Sequence, residues 1–372
     1  MSDTSSAIAL MLLTSILVPI VGVMLAITPY LMKKSEVFAV TVPESALFDP
    51  YLKGLKKRYL WVMLLITVVL TALCFVFALM GKNAASIAMM VVGMLALLVV
   101  GYGLMLYFRS KVRAYKKQQN WEAIQQEAVA VLGAEEAPRA ISLKWNLLYI
   151  PVLLITLAIG AVGYASMPDM VPIHTGLNGV VNGYAPKTPM IVVQTVLIQA
   201  FLALCFVFSH WMIIRAKRQA SPSAPATSSL AYGMFARAQS VYLVALGLIM
   251  CILMIAMPLS FIGVMTLLQA GLFCLIGALI AVIGALAIAV VYGQGGSRVF
   301  ARMQAADRMP ADDDRFWKLG VFYYNPQDPS LFLLERFGVG WTVNFARPAV
   351  GAIIVGFIVA TIAFVVAMAL LV

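Results

Sequence analysis

A chain of 372 residues that is 63% hydrophobic and only 11% charged, with a mean hydropathy of +0.98, is not a water-soluble domain, in which roughly a quarter of residues are charged. Its net charge of +11 would suit a nucleic-acid binder, but the positions of the charges exclude that class. Lys and Arg number six in the loop after the first apolar run, seven after the third, four after the fifth and seven between 298 and 347, while only Lys82 and Lys187 fall in the other loops. That asymmetry is the positive-inside rule, so the basic loops are expected in the cytoplasm, both termini outside, and no direct nucleic-acid partner.

Apolar runs of about 20 residues are read as membrane spans. Eight are expected, at 7–32, 59–81, 84–108, 145–166, 188–214, 238–258, 262–292 and 347–372. Because they are continuous rather than alternating, and because backbone groups in hydrocarbon must be satisfied within each segment, they are helices and not barrel strands. The fold class expected is therefore all-α, a polytopic transmembrane bundle whose first partner is the lipid bilayer, with small β-like aromatic segments outside it. Five segments follow along the chain: 1–144, 145–214, 215–292, 293–346 and 347–372.

Span 1 opens MSDTSS without a basic leader or cleavage site and is expected to stay in the membrane. It carries Pro19 and Pro29, which predict a kink. After it, Phe38, Val40 and Val42 alternate with small or polar residues and predict a short strand. Spans 2 and 3 form a tight hairpin at Gly81 to Ala84, and the periodicity of RSKVRAYKKQQNWEAIQQEAVAVL predicts that helix 3 runs on beyond the membrane.

Between spans 4 and 5 lies Met167 to Lys187, MPDMVPIHTGLNGVVNGYAPK. It holds His174, one of only two histidines, and a density of Pro, Gly and Asn that predicts turns, with Asn178, Gly179, Asn182 and Gly183 expected in successive tight ones. His174 with Asp169 is either an acid/base pair, half of a metal site, or a fastening for the loop. Span 5 ends in HWMIIRAKR, where His210 is expected to bond a neighbouring helix. SPSAPATSS after it reads as a flexible linker. In span 7, Gly277, Ala281, Ala285 and Ala289 recur every four residues and predict a close helix contact. Past a GQGG helix stop and a short polar helix, Gly320–Tyr324 and Phe332–Phe345 read as strands around the turn NPQDPS.

The four cysteines lie singly inside spans and read as packing residues, with no disulfide or metal pair. No acidic or basic residue sits deep in a span, which weighs against ion-coupled transport. No protease, P-loop or hydrolase motif is present, so neither a catalytic residue nor a cofactor or metal is assigned.

The central segment resembles the LPxxIPxHxxxxGxxdxyxxK signature of a bacterial membrane family that includes the SdpI-type immunity proteins. Pro168, Pro172, His174, Gly179, Gly183, Tyr184 and Lys187 match it; Met167 stands for the leucine and Asn182 for an acidic residue. Phe322 to Phe345 is similar to a second module found in longer relatives, and FAVTVPES also looks familiar there. The resemblance implies a bacterial plasma (inner) membrane protein whose site includes Pro168, Asp169, Pro172, His174, Gly179, Asn182, Gly183, Tyr184 and Lys187. It also implies a cytoplasmic module built on Phe322, Tyr323, Tyr324, Asn325, Pro326, Asp328, Pro329, Arg336, Gly338, Gly340, Trp341 and Asn344. SdpI-type proteins protect against a secreted toxic peptide and report it by holding a repressor at the membrane, so the partners implied are such a peptide outside and a repressor or other protein inside. The alternatives are a transporter or flippase of a neutral or amphipathic substrate, and an enzyme using His174.

Overall fold

In the computed structural model, residues 2–122, 138–176, 179–218, 221, 224–303 and 312–370 are described. Ten α-helices lie among them. Seven helical stretches are long and apolar enough to cross a membrane, from Pro50–Leu79 to Pro348–Leu370, so the chain is a polytopic helical membrane protein. The first of the eight expected spans lies in helix α1 (Ser2–Leu31), whose described apolar part, Ile16–Leu31, is shorter than the other seven. Both prolines sit inside α1 without interrupting it.

The chain folds as two compact units. The first comprises Met1–Ala137, Lys217–Phe235 and Ala289–Ala346. Its frame is α1 packed on α2 (Pro50–Leu79) and α3 (Asn83–Gln118). Asp49 begins α2 by accepting from the backbone N–H groups of Tyr51 and Leu52. Gly81, at φ 71°, turns the chain from α2 to α3 where the left-handed conformation needs no Cβ. α3 runs to Gln118 as expected; the remainder of its expected extension, from Ala123, lies outside the described residues. α1 and α2 approach closely at Gly22, where a Cβ would meet Thr67.

The stretch expected to be one strand is instead a minimal hairpin of β1 (Glu36–Val37) and β2 (Val40–Thr41). Phe38 and Ala39 make its turn at φ 47° and 57°. Alternation misleads here because Phe38, Val40 and Val42 are all buried, with Phe38 stacked 5.1 Å from Phe108 of α3. The first unit ends in two further hairpins. β5 (Trp317–Lys318) pairs with β6 (Phe322–Tyr323), and β7 (Phe332–Leu334) with β8 (Trp341–Val343), so the expected sheet is two short ribbons joined by a Tyr323 to Asn344 bridge.

The second unit comprises Pro138–Ala216, Ala236–Ile288 and Arg347–Val372. It contains α4 (Tyr149–Gly163), α5 (Pro189–Arg215), α7 (Ala256–Phe261), α10 (Pro348–Leu370) and most of α6 (Pro225–Met254) and α8 (Leu267–Val291). α6 starts at Pro225, inside the expected linker, because proline is pre-set for the first helical position and the Ser228 hydroxyl bonds back to the Pro225 carbonyl at 3.1 Å. The remaining helix, α9 (Ser297–Met303), belongs to the first unit.

Small residues set the close contacts of the second unit. A Cβ on Gly160 would meet Val192 of α5, and one on Gly277 would meet Met250 of α6, as the four-residue spacing in α8 predicts. His210 is fully buried and clamps the start of this unit. Its Nδ1 accepts from Asn146 at 2.9 Å and its Nε2–H donates to the Ile141 carbonyl at 3.0 Å. Asn146 lies in the first turn of the neighbouring span, Leu143–Ser166, as expected, and Ile141 just before it.

Candidate functional site

Two loci carry the residues singled out above. In the second unit, the segment expected to be a string of turns is a β-hairpin, β3 (Met170–Thr175) with β4 (Val181–Pro186). Asn182 and Gly183 belong to β4 and not to a turn. Pro172 and the Asn/Gly/Pro content of β4 disguise these strands, since such residues are depleted in sheets. Gly176 donates to the Val180 carbonyl at 2.8 Å and Gly179, at φ 78°, closes the tip; Asn178 lies outside the described residues.

Val171 and Ala185 face inward onto Ile191, Val192, Phe261 and Leu267. Met170, paired with Pro186, and Tyr184, paired with Pro172, face out and are about half exposed. Ile173 and Val180 are exposed as well. The register slips on either side of His174, which sits opposite Gly183. A Cβ on Gly183 would come within 2.8 Å of the His174 Cβ, which accounts for glycine there. The His174 Nδ1–H is bonded to the Asn182 Oδ1, so its partner is a neutral amide and not Asp169. Asp169 is exposed, and its backbone carbonyl accepts from the Lys187 N–H at 2.8 Å. Pro168 is exposed beside it.

Lys187 closes the hairpin's base. Its ammonium donates to the carbonyls of Ala165 (3.1 Å) and Met167 (2.9 Å) and lies 5.2 Å over the Tyr164 ring. A cation at the carboxyl end of a helix satisfies carbonyls that have no helical donor. Among the described residues no three His, Cys, Asp or Glu converge as metal ligands.

The second locus is in the first unit, where Arg336 is 3% exposed. Its guanidinium bonds Asp313 and Asp314, the Ala39 carbonyl (3.0 Å) and the Thr41 hydroxyl (3.0 Å), and it lies 5.0 Å over the Trp317 ring. Asp314 also receives Lys116 at 2.9 Å and the backbone N–H of Thr41 at 3.1 Å. Arg109 holds the same turn from α3 through the carbonyls of Phe38 and Ala39. Two arginines thus fix a turn whose two residues adopt a conformation that costs non-glycine residues of order 1 kcal/mol each.

The charges shift one another. Burial opposes ionisation of Asp314, but Arg336 and Lys116 outweigh it and hold its carboxyl down at about 2. Burial likewise works against the Arg336 cation, and Asp313, Glu36 and Asp314 outweigh that, pushing it up. For Glu36 burial wins over Lys33 and Arg336 and raises the carboxyl; for Lys33 burial wins over Glu36 and lowers the ammonium. Glu335, with burial as the sole cause, is pushed up to about 7.

The rest of the module is a hydrogen-bonded knot. Asn344 is fully buried and uses all its capacity: Nδ2 donates to the carbonyls of Asn325 (2.9 Å) and Asp328 (3.0 Å), and Oδ1 accepts from the N–H groups of Asn325 and Ala346. Asp328 accepts from Tyr323 (3.0 Å), Lys217 (2.7 Å) and the Ser330 N–H (3.0 Å). Pro326 and Pro329 lie in this turn. Gln294 donates to the carbonyls of Glu335 and Gly340, and Gly338 turns at φ 100°. Trp341 stacks on Phe235 at 5.5 Å, whereas Phe322 and Tyr324 are about half exposed.

Residues 152–198 match a Domain of unknown function (DUF1648). That domain spans the β3–β4 hairpin with parts of α4 and α5. Residues 326–351 match a Family of unknown function (DUF5808), which covers the turn from Pro326 through Asn344. No curated protein and no solved structure matches the chain.

Sequence reasoning missed Glu36, Arg109, Lys116, Asp313 and Asp314. One signal was present: Arg109 and Lys116 are seven residues apart and share a face of α3.

Proposed function

We propose that this chain is a bacterial plasma-membrane protein that senses or neutralises an extracytoplasmic peptide. The β3–β4 hairpin meets the peptide, and the Arg336 module faces a cytoplasmic partner such as a repressor. The orientation follows from the distribution of Lys and Arg. The observation that carries the reading is the outward set Met170, Ile173, Val180 and Tyr184, 39–59% exposed on a hairpin anchored by buried Val171 and Ala185. A two-stranded ribbon also has an outer edge on each strand, to which an extended peptide can add main-chain hydrogen bonds. The likeness of Met167 to Lys187 to the SdpI-type signature supports the same reading.

The test is a deletion strain challenged with a panel of secreted antimicrobial peptides and complemented with the wild-type chain or with Ile173→Ser/Tyr184→Ser. Sensitisation to a peptide, corrected by the wild type and not by an equally abundant double variant, is the expected result. Unchanged sensitivity across the panel sinks the proposal.

A further inference from the structure

A cavity of ≈360 Å³ opens in the first unit where α1 ends, α2 begins and α9 passes. Five cations line it: Lys33, Lys34, Lys56, Arg298 and Arg302. Among the described residues no carboxylate lines it. The remaining lining is Tyr30, Met32 and Leu47, so an apolar wall stands beside the charges.

Two of the cations are already positioned. Arg298 donates to the carbonyls of Val290 (2.8 Å) and Tyr30 (3.2 Å), the last turns of α8 and α1. Those bonds fix the guanidinium without neutralising it and leave further N–H donors. Lys56 lies 6.0 Å over the Tyr30 ring. Lys33 is the partnered one among them: Glu36 lies 3.9 Å from it, shared with Arg336, and Asp313 acts on it too. Holding Lys34, Lys56, Arg298 and Arg302 around one cavity costs electrostatic energy that an oxyanion would recover.

We infer that this cavity binds a phosphate oxyanion, and that the source is the headgroup of an anionic phospholipid. The cavity sits where apolar helices end, and basic pockets between helix ends at that depth hold anionic headgroups. Tyr30, Met32 and Leu47 give the acyl-proximal part of such a lipid an apolar surface that a free phosphate would not use. This reading does not depend on what the β3–β4 hairpin binds.

The experiment is native mass spectrometry of the full chain released from detergent, titrated in parallel with phosphatidylglycerol, phosphatidylcholine and inorganic pyrophosphate. Lys56→Gln/Arg302→Gln removes two lining cations, and Lys57→Gln/Arg58→Gln removes two exposed ones from the neighbouring turn. Each cation near an anionic surface is worth about fivefold in affinity. The expected result is retention of phosphatidylglycerol over phosphatidylcholine, weakened at least about tenfold in the lining variant and unchanged in the other. Should Lys56→Gln/Arg302→Gln not fold, Lys34→Gln/Arg302→Gln repeats the test. Pyrophosphate binding lost in the lining variant, without phosphatidylglycerol retention, upholds the oxyanion site and overturns its lipid source. Equal loss in both double variants, or no preference for any phosphate, overturns the site altogether.

Discussion

Arg336 is the residue on which the first unit's polar interior converges. Its removal takes from Asp314 its strongest partner and leaves buried Glu36 with Lys33 alone, and breaking such a pair costs about 3–5 kcal/mol. Arg336→Met is accordingly expected to lower the melting temperature in detergent sharply, and Arg336→Lys to recover little, because one ammonium cannot reach both aspartates and Thr41. His174 makes the opposite case. It is exposed and its bond to Asn182 is at the surface, so His174→Ala should cost less than about 1 kcal/mol. Unfolding of that variant would show that the histidine carries far more of the hairpin than its contacts indicate. The identity of both residues was legible in the sequence. What each does was not, because a hydrogen-bond partner eight residues away and one almost three hundred away look alike in composition.

Among the elements, α4 and α5 depend on Gly160, where the ideal Cβ position lies 2.5 Å from Val192. Gly160→Val should therefore push the helices apart and reduce the folded yield on size-exclusion chromatography, with partial recovery in Gly160→Val/Val192→Ala. If the single variant folds normally, the helices are not in contact there. Helix positions were readable because hydrophobic runs are local and the bilayer sets their length. The hairpins were harder. Strands of two to six residues carry too little periodicity to outweigh Pro172 in β3 or a turn such as Phe38–Ala39 that lacks glycine. The start of α6 was missed for a similar reason: a Pro/Ser-rich stretch describes a linker and a helix cap equally well.

For the whole molecule, two carboxyls give stability a defined pH response. Asp314 titrates lower in the folded chain than its ordinary 3.8, so its contribution is complete above that value and is lost as pH falls toward about 2. Glu335 is raised from 4.5 to about 7, so the folded chain holds its proton where the unfolded chain has released it, and stability falls as pH rises through that interval. Between pH 5 and pH 8 the melting temperature of the wild type should fall relative to that of Glu335→Gln; identical slopes would place Glu335 in contact with solvent. Orientation is tested by Thr175→Cys in intact cells, where labelling by a membrane-impermeant maleimide is expected. Labelling by permeant reagents alone would put the hairpin inside and remove the receptor surface.

By itself, the sequence determined that this is a helical membrane protein, where its long spans lie, and that a turn-rich segment and an aromatic module interrupt them. Those are properties of neighbouring residues and of the solvent around them, and they need no knowledge of distant contacts. Tertiary structure alone decided that Glu36, Arg109, Lys116, Asp314 and Arg336 form one buried network, and that Lys34, Lys56 and Arg302 line one cavity. Those groups come from segments as far apart as 36 and 336, and no periodicity or local spacing records which distant charges a fold will bring within bonding distance.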